Sequence, residues 1–175
     1  MMMETQRLLL RPFEPDDLEP WAAIRSRASV ARFLPGGEAV TPDAAARAMA
    51  VGNPWGRDAW RGDGYAPWAV VEKSSSRLIG HLGLRYLPEI LETELLYMID
   101  EPWWGKGLAT EAGRAAVDFA QYRLRLDHLV AFALPENAAS IAVMRRLGFC
   151  FESEQAIFGL NAVRYALIFA NSDRI

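Results

Sequence analysis

Two glycines two residues apart, Gly105 and Gly107, stand between an apolar run at 94–99 (ELLYMI) and a stretch in which Leu108, Ala112, Ala115, Ala116 and Phe119 recur at helical spacing. The segment WWGKGLATEAGRAA therefore reads as a strand, a tight reversal and the opening turns of a helix, with Asp100, Glu101 and Pro102 punctuating the strand end. Glycines lack a Cβ, so backbone N–H groups there can approach a ligand closely. The first amides of a helix have no intrahelical partner, and its dipole places about half a positive charge beside them. Residues 105–110 are thus a candidate anion cradle, and phosphate or pyrophosphate is the ligand it suits. A glycine pair before a helix is also an ordinary connection, so the rest of the chain has to decide.

The surrounding elements follow from periodicity and punctuation. RLLLR at 7–11 is a short strand closed by Pro12, and Asp16 or Asp17 caps a helix to about Arg27 whose apolar side is Leu18, Trp21, Ala22 and Ile24. Thr41, Pro42 and Asp43 give a second start signal for a helix that Gly52, Asn53 and Pro54 must end. Residues 52–64 (GNPWGRDAWRGDG) form a long loop whose Trp55 and Trp60 either pin it to the core or make it a lid over a site, the lid being the reading favoured here. Strands at 65–72 and 78–84 form a hairpin through the polar turn 73–76, and 92–99 is the next antiparallel strand. The central helix runs to about Tyr122. HLVAFAL at 128–134 then makes a strand parallel to its neighbour, stopped by Pro135. A last helix spans 137–147 and ends at Gly148, followed by strands at 149–155 and 161–170. The order βααβββαβαββ describes one mixed α/β domain over residues 1–175.

Composition narrows the classes. With 175 residues, 51% hydrophobic and 23% charged, the chain has enough apolar material for one sizeable core, and no run reaches the roughly 18 apolar residues of a membrane span. Leu8 to Leu10 is too short for a signal-peptide apolar region, so the expectation is a soluble, cytoplasmic protein without a membrane partner. A net charge of −3 without a basic block leaves no footprint for nucleic acid. One cysteine excludes an internal disulfide, and two histidines beside it do not make a structural zinc set, so no metal is expected. Cys150, after Phe149 in an apolar run, reads as a small buried core residue.

Four stretches then carry a family resemblance. ETQRLLLRPFEPDDLEPW, IGHLGL, ELLYMIDEPWWGKGLATEA and NAASIAVMRRLGF resemble the GCN5-related N-acetyltransferases (GNAT superfamily), closest to the branch that acetylates ribosomal-protein N-termini at alanine or serine. The match runs through nearly the whole chain in the family's order. It implies a mostly antiparallel twisted sheet splayed between the fourth and fifth strands, acetyl-CoA (coenzyme A) as cofactor, and direct transfer of its acetyl group to a primary amine in a ternary complex. The family's pyrophosphate loop falls on Trp104, Gly105, Lys106, Gly107, Leu108 and Ala109, with tryptophan where arginine or glutamine is commonest. The amides from Gly105 to Thr110 would hold the pyrophosphate. The backbone of Tyr97, Met98 and Ile99 would hold pantetheine, and an amide of that strand would polarise the thioester carbonyl. Asn137 matches a pantetheine-contacting position and can equally serve as a helix N-cap.

The chemistry implied needs a base for the amine and a proton for the departing thiolate. Glu94, on the same strand side as Leu96 and Met98, is the leading base, and a charged residue at a sheet edge is the plainer alternative. His81 is the other candidate, though a satisfied histidine within the sheet is the simpler reading. Many relatives carry a tyrosine seven residues after the asparagine; here Met144 stands there and cannot donate, which turns attention to Ser140 one turn back. Trp55 and Trp60 with Asp58, Asp63, Glu89 and Glu92 suggest an acidic, aromatic mouth that draws a cationic acceptor, a protein N-terminus or a small amine. A homodimer is left open. Two other classes remain: an acetyl-CoA-binding module without catalysis, and a dinucleotide-binding unit, against which Thr110 stands where a third glycine belongs.

Overall fold

Apolar runs of about strand length pair into one open sheet in the computed structural model, which describes residues 1–35, 41, 43–44 and 64–170. The strands are β1 (Met3–Glu4), β2 (Leu8–Arg11), β3 (Trp68–Glu72), β4 (Arg77–Leu87), β5 (Glu92–Ile99), β6 (His128–Ala133), β7 (Cys150–Ile157) and β8 (Leu160–Ile168). Among the described residues the helices are α1 (Leu18–Arg25), α2 (Ala28–Ala31), α3 (Leu108–Asp118) and α4 (Ala138–Arg146). The eight strands lie in the order β1-β2-β3-β4-β5-β6-β8-β7. All neighbours are antiparallel except β5 and β6, which α3 connects as a crossover. A dinucleotide-binding unit needs a parallel, doubly wound sheet, so this topology removes that alternative.

Helices cover both faces. On one, Leu108, Ala112 and Ala116 of α3 and Met144 of α4 pack with Leu82, Leu84 and Leu95, and Trp68 stands edge-on to Phe119 at 5.4 Å. On the other, Trp21, Ala22, Ile24 and Val30 pack on Ala69 and Met98. Even and odd residues of β5 thus serve different layers, as strand alternation requires.

The pairing of β5 is asymmetric, and this positions the site. Towards β4 it is matched from Gly80↔Ile99 to Leu87↔Glu92, whereas towards β6 it shares one pair, Glu94↔Val130. The expected splay between the fourth and fifth strands falls here, between β5 and β6, because the short β1 adds one strand to the count.

Other expectations shift. β3 begins at Trp68 rather than Tyr65, since Pro67 has no N–H for a ladder. Asp17 stands at the start of α1 without capping it by side chain; it binds Arg11 at 2.5 and 2.8 Å and the Glu14 amide at 2.8 Å instead. The central helix leaves α geometry after Asp118 for a π turn, Phe119–Arg123. Cys150 is exposed, not buried, because β7 is the outermost strand and its residues there lie uncovered. At the start of the expected second helix, Thr41 Oγ1 accepts the Ala44 amide at 3.2 Å, as a cap does. The rest of that helix, and the loop bearing Trp55 and Trp60, lie outside the described residues.

Candidate active site

Where β6 departs, β5 is left with an open edge. Asp100 N–H donates to Ile79 O on the β4 side, while Ile99 O accepts from Trp104 Nε1 at 2.6 Å on the opposite side. Backbone groups alternate in direction along a strand. Tyr97 and Ile99 therefore aim their N–H and C=O groups towards the gap, and Met98 aims its own at β4. The Met98 carbonyl confirms the direction, lying 2.0 Å from where a Cβ on Gly80 would stand. Of the three residues expected to offer backbone to a ligand, Tyr97 has both groups in the gap, Ile99 has its N–H, and Met98 has neither. Trp104 acquires a purpose that its departure from the family pattern did not suggest. Its indole ties the reversal to the strand end.

The reversal delivers the helix amides to the same gap. Gly105 and Gly107 have φ of 72° and 76°, left-handed values that side-chain-bearing residues avoid. Gly107 is the N-cap of α3, and the Glu111 amide makes the first helical bond, to Gly107 O at 3.0 Å. The amides of Leu108, Ala109 and Thr110 accordingly have no partner within the helix. Thr110 Oγ1 is buried without a hydrogen-bond partner among the described residues. Lys106 places its ammonium over the Trp103 ring at 4.6 Å. Arg7 braces the turn from the far end of the chain, donating from Nη1 to Lys106 O at 2.9 Å and from Nε to Glu111 Oε2 at 2.7 Å.

Titratable and hydroxyl side chains lie on both sides of the strand. Towards α1, Glu94 is buried and meets Arg85, with Nη2 at 2.5 Å and Nε at 3.1 Å from Oε2. Burial pushes its carboxyl up from the ordinary value, and the Arg85 charge and hydrogen bond offset this only in part. His81 accepts the Trp21 indole N–H on Nδ1 at 3.0 Å, which leaves Nε2 as the protonated nitrogen of the neutral ring. Burial first, then the charges of Arg85 and Arg25, push His81 down to about 3. With its accepting nitrogen engaged, His81 is not poised to take a proton.

Towards α4, Tyr97 Oη lies 2.8 Å from Ser140 Oγ and donates to Ser140 O at 3.0 Å. Burial raises the phenol pKa, so it stays protonated throughout the working range. Asn137 Oδ1 accepts the Ser140 amide at 3.1 Å, which makes the asparagine the N-cap and leaves its NH₂ for a ligand. Met144 is fully buried beneath α4 and is core. The Tyr97 hydroxyl was missed by sequence reasoning, which used only its backbone.

These groups share one cleft of about 1120 Å³ that passes from the α3–α4 side to the α1–α2 side. Arg114 and Arg146 line it too, a pair that sequence reasoning also passed over; Arg114 lies one helical turn beyond Thr110 of the cradle. Glu92, expected at the acceptor mouth, is turned away and bound by Arg164 at 2.5 and 2.8 Å and by His128 at 3.0 Å. The expected acidic mouth thus loses that charge. Trp55 and Trp60, expected to contact the acceptor, lie outside the described residues.

The family model for the acetyltransferase (GNAT) domain matches residues 7–150. An uncharacterized N-acetyltransferase, YnaD of Bacillus subtilis, is 28% identical over 149 residues, covering 85% of this chain and 82% of its own. A ribosomal-protein α-N-acetyltransferase solved in complex with coenzyme A superposes with a TM-score of 0.75 at 18% identity, over 96% of this chain and 98% of that one. Spermidine N-acetyltransferase from Vibrio cholerae, solved with CoA and spermine, gives 0.71 at 18% identity over 93% and 95%. At those identities the two structures speak for the fold.

Proposed function

The chain belongs to the GNAT acetyltransferases, whose cofactor is acetyl-CoA, and on that premise we propose that it moves the acetyl group to a primary amine by direct transfer with both substrates bound. The observation that carries this reading is the junction of β5 with α3, where an open strand edge leads directly into free helix amides. An extended chain bearing amides and ending in a pyrophosphate fits such a track. Its amides find strand partners at Tyr97 and Ile99, and its phosphates meet the amides of residues 105–110 at the positive end of α3. The guanidinium groups of Arg114 and Arg146 add positive charge, and the Asn137 NH₂ is a further donor beside the track.

When bound, the cofactor supplies an activated thioester. The residues around it then have separable duties. The Tyr97 N–H, fixed by the sheet and facing the gap, is a donor for a developing oxyanion. Glu94 takes the amine proton, directly or through water, and its raised pKa brings it closer to neutral, where a general base works best. Ser140 Oγ and Tyr97 Oη together hold a proton on the α4 side for the departing sulfur.

Thiol release from acetyl-CoA over a panel of amines tests the reading, with coenzyme A affinity measured alongside by calorimetry. Amine-dependent release is expected. Tight coenzyme A binding with no release for any amine would mean a binding module without catalysis.

A further inference from the structure

On the α1–α2 side of the cleft the described charges do not balance. Glu94 is matched by Arg85, and His81 is neutral. Arg25, also in the wall, has no acidic partner among the described residues. Its Nη2 donates to Pro35 O at 3.3 Å, but its Nη1 is buried and has no hydrogen-bond partner among the described residues. Burial lowers the guanidinium pKa, which registers the cost of withdrawing that charge from water. A buried donor without an acceptor is uncommon, and a site that binds an anion is a place where it makes sense. Arg25, Arg85 and His81 line the same cleft, and both guanidinium charges act on the imidazole. The wall beside them is apolar, with Trp21, Val30, Phe33 and Leu34.

We propose that the acceptor is a small amine that also carries a carboxylate, an amino acid with an apolar side chain, whose carboxylate is bound by Arg25 beside the Arg85–Glu94 pair. A guanidinium presents paired N–H donors that match a carboxylate, and the anion supplies the acceptor that Nη1 lacks. The amine of such a ligand then sits within reach of Glu94, and the apolar wall takes its side chain. A polyamine would bring only positive charge to a region where the described residues already leave an excess of it. The proposal rests on the acetyl-transfer reading above.

The test compares leucine with leucinamide, 3-methylbutylamine, spermidine and a leucine-initiated tripeptide amide, in the wild type and in Arg25→Gln. The wild type should prefer leucine over 3-methylbutylamine by about tenfold or more in kcat/KM, the scale of one charge-assisted hydrogen bond. Arg25→Gln should erase that preference through KM while leaving coenzyme A affinity unchanged, and the melting temperature should fall little, the described hydrogen bond lost being the 3.3 Å contact of Nη2 with Pro35 O. Equal rates on leucine and its uncharged analogues, preference for spermidine or the tripeptide amide, or a leucine preference that survives Arg25→Gln would each overturn the proposal alone. No turnover of any amine by protein that binds coenzyme A would overturn the acetyl-transfer reading together with it.

Discussion

A buried carboxylate and a half-buried phenol, Glu94 and Tyr97, stand three residues apart on one strand and face opposite layers, and the proposed mechanism divides the proton work of the cleft between them. Under the proposed mechanism Glu94 must be ionised to act as base, so activity should rise with pH through an apparent pKa above the ordinary carboxylate range, because burial raises this group. Glu94→Gln should remove that limb from the kcat/KM profile and lower kcat by about 10²-fold, with acetyl-CoA affinity retained. An unchanged profile would assign the proton to bulk water. On the other face, Tyr97→Phe and Ser140→Ala each break the same 2.8 Å contact, so their effects on kcat should be less than additive. Additive losses would mean that the two hydroxyls act separately. That Glu94 and Ser140 line the cleft was legible in the sequence through strand alternation and the family's spacing. The Tyr97 hydroxyl was not, since its partner lies 43 residues away and only the packing of α4 on β5 brings them together.

At the scale of elements, the reversal between β5 and α3 was the most legible part of the chain, because its glycines, its apolar strand and its helical period are all local. Gly107→Val tests it. A Cβ there has room, its nearest contact being Arg7 Nη2 at 3.8 Å, but a φ of 76° strains a branched residue by about 1–3 kcal/mol and re-aims the amides that follow. Coenzyme A affinity should fall by about five- to over a hundredfold, the factor to which that strain corresponds in binding, with the far-ultraviolet circular dichroism unchanged. Unaltered affinity would remove residues 105–110 from the cofactor site. The β3–β4 turn offers a pH test of fold rather than function. The Ser75 hydroxyl first, then the Ser74 hydroxyl and the two amides, hold Glu72 down to about 2. A lowered folded-state pKa contributes stability that is present above the unfolded value and lost as pH falls through the folded one. The melting temperature of the wild type should therefore fall towards that of Glu72→Gln as pH drops from about 4.5 to about 2, with the two curves parallel at neutral pH. What local pattern could not supply was edge position. Cys150 sits in an apolar run, but that run forms the outermost strand, where the side chain is exposed.

In the whole molecule, the proposed function rests on one missing stretch of ladder. A sheet paired fully on the β4 side of β5 and at a single position on the β6 side opens between the helix layers, so that one substrate can lie against α3 and α4 while the other enters past α1 and α2. The family resemblance made the splay legible. The strap from the N-terminal strand to the cradle was not, because Arg7 and Glu111 are 104 residues apart and neither is unusual in its local sequence. Arg7→Ala should weaken coenzyme A binding several-fold without touching the pH profile, since Arg7 orients the loop through Lys106 O and reaches no reacting atom. Direct transfer in this shared cleft is the central claim, and an initial-rate grid in acetyl-CoA and the best amine, with the products identified by mass, tests it most directly. The account predicts intersecting reciprocal plots, with one acetyl group on the amine nitrogen for each coenzyme A thiol released. Parallel plots with an acetylated protein intermediate, or thiol release that does not depend on the amine, would contradict it.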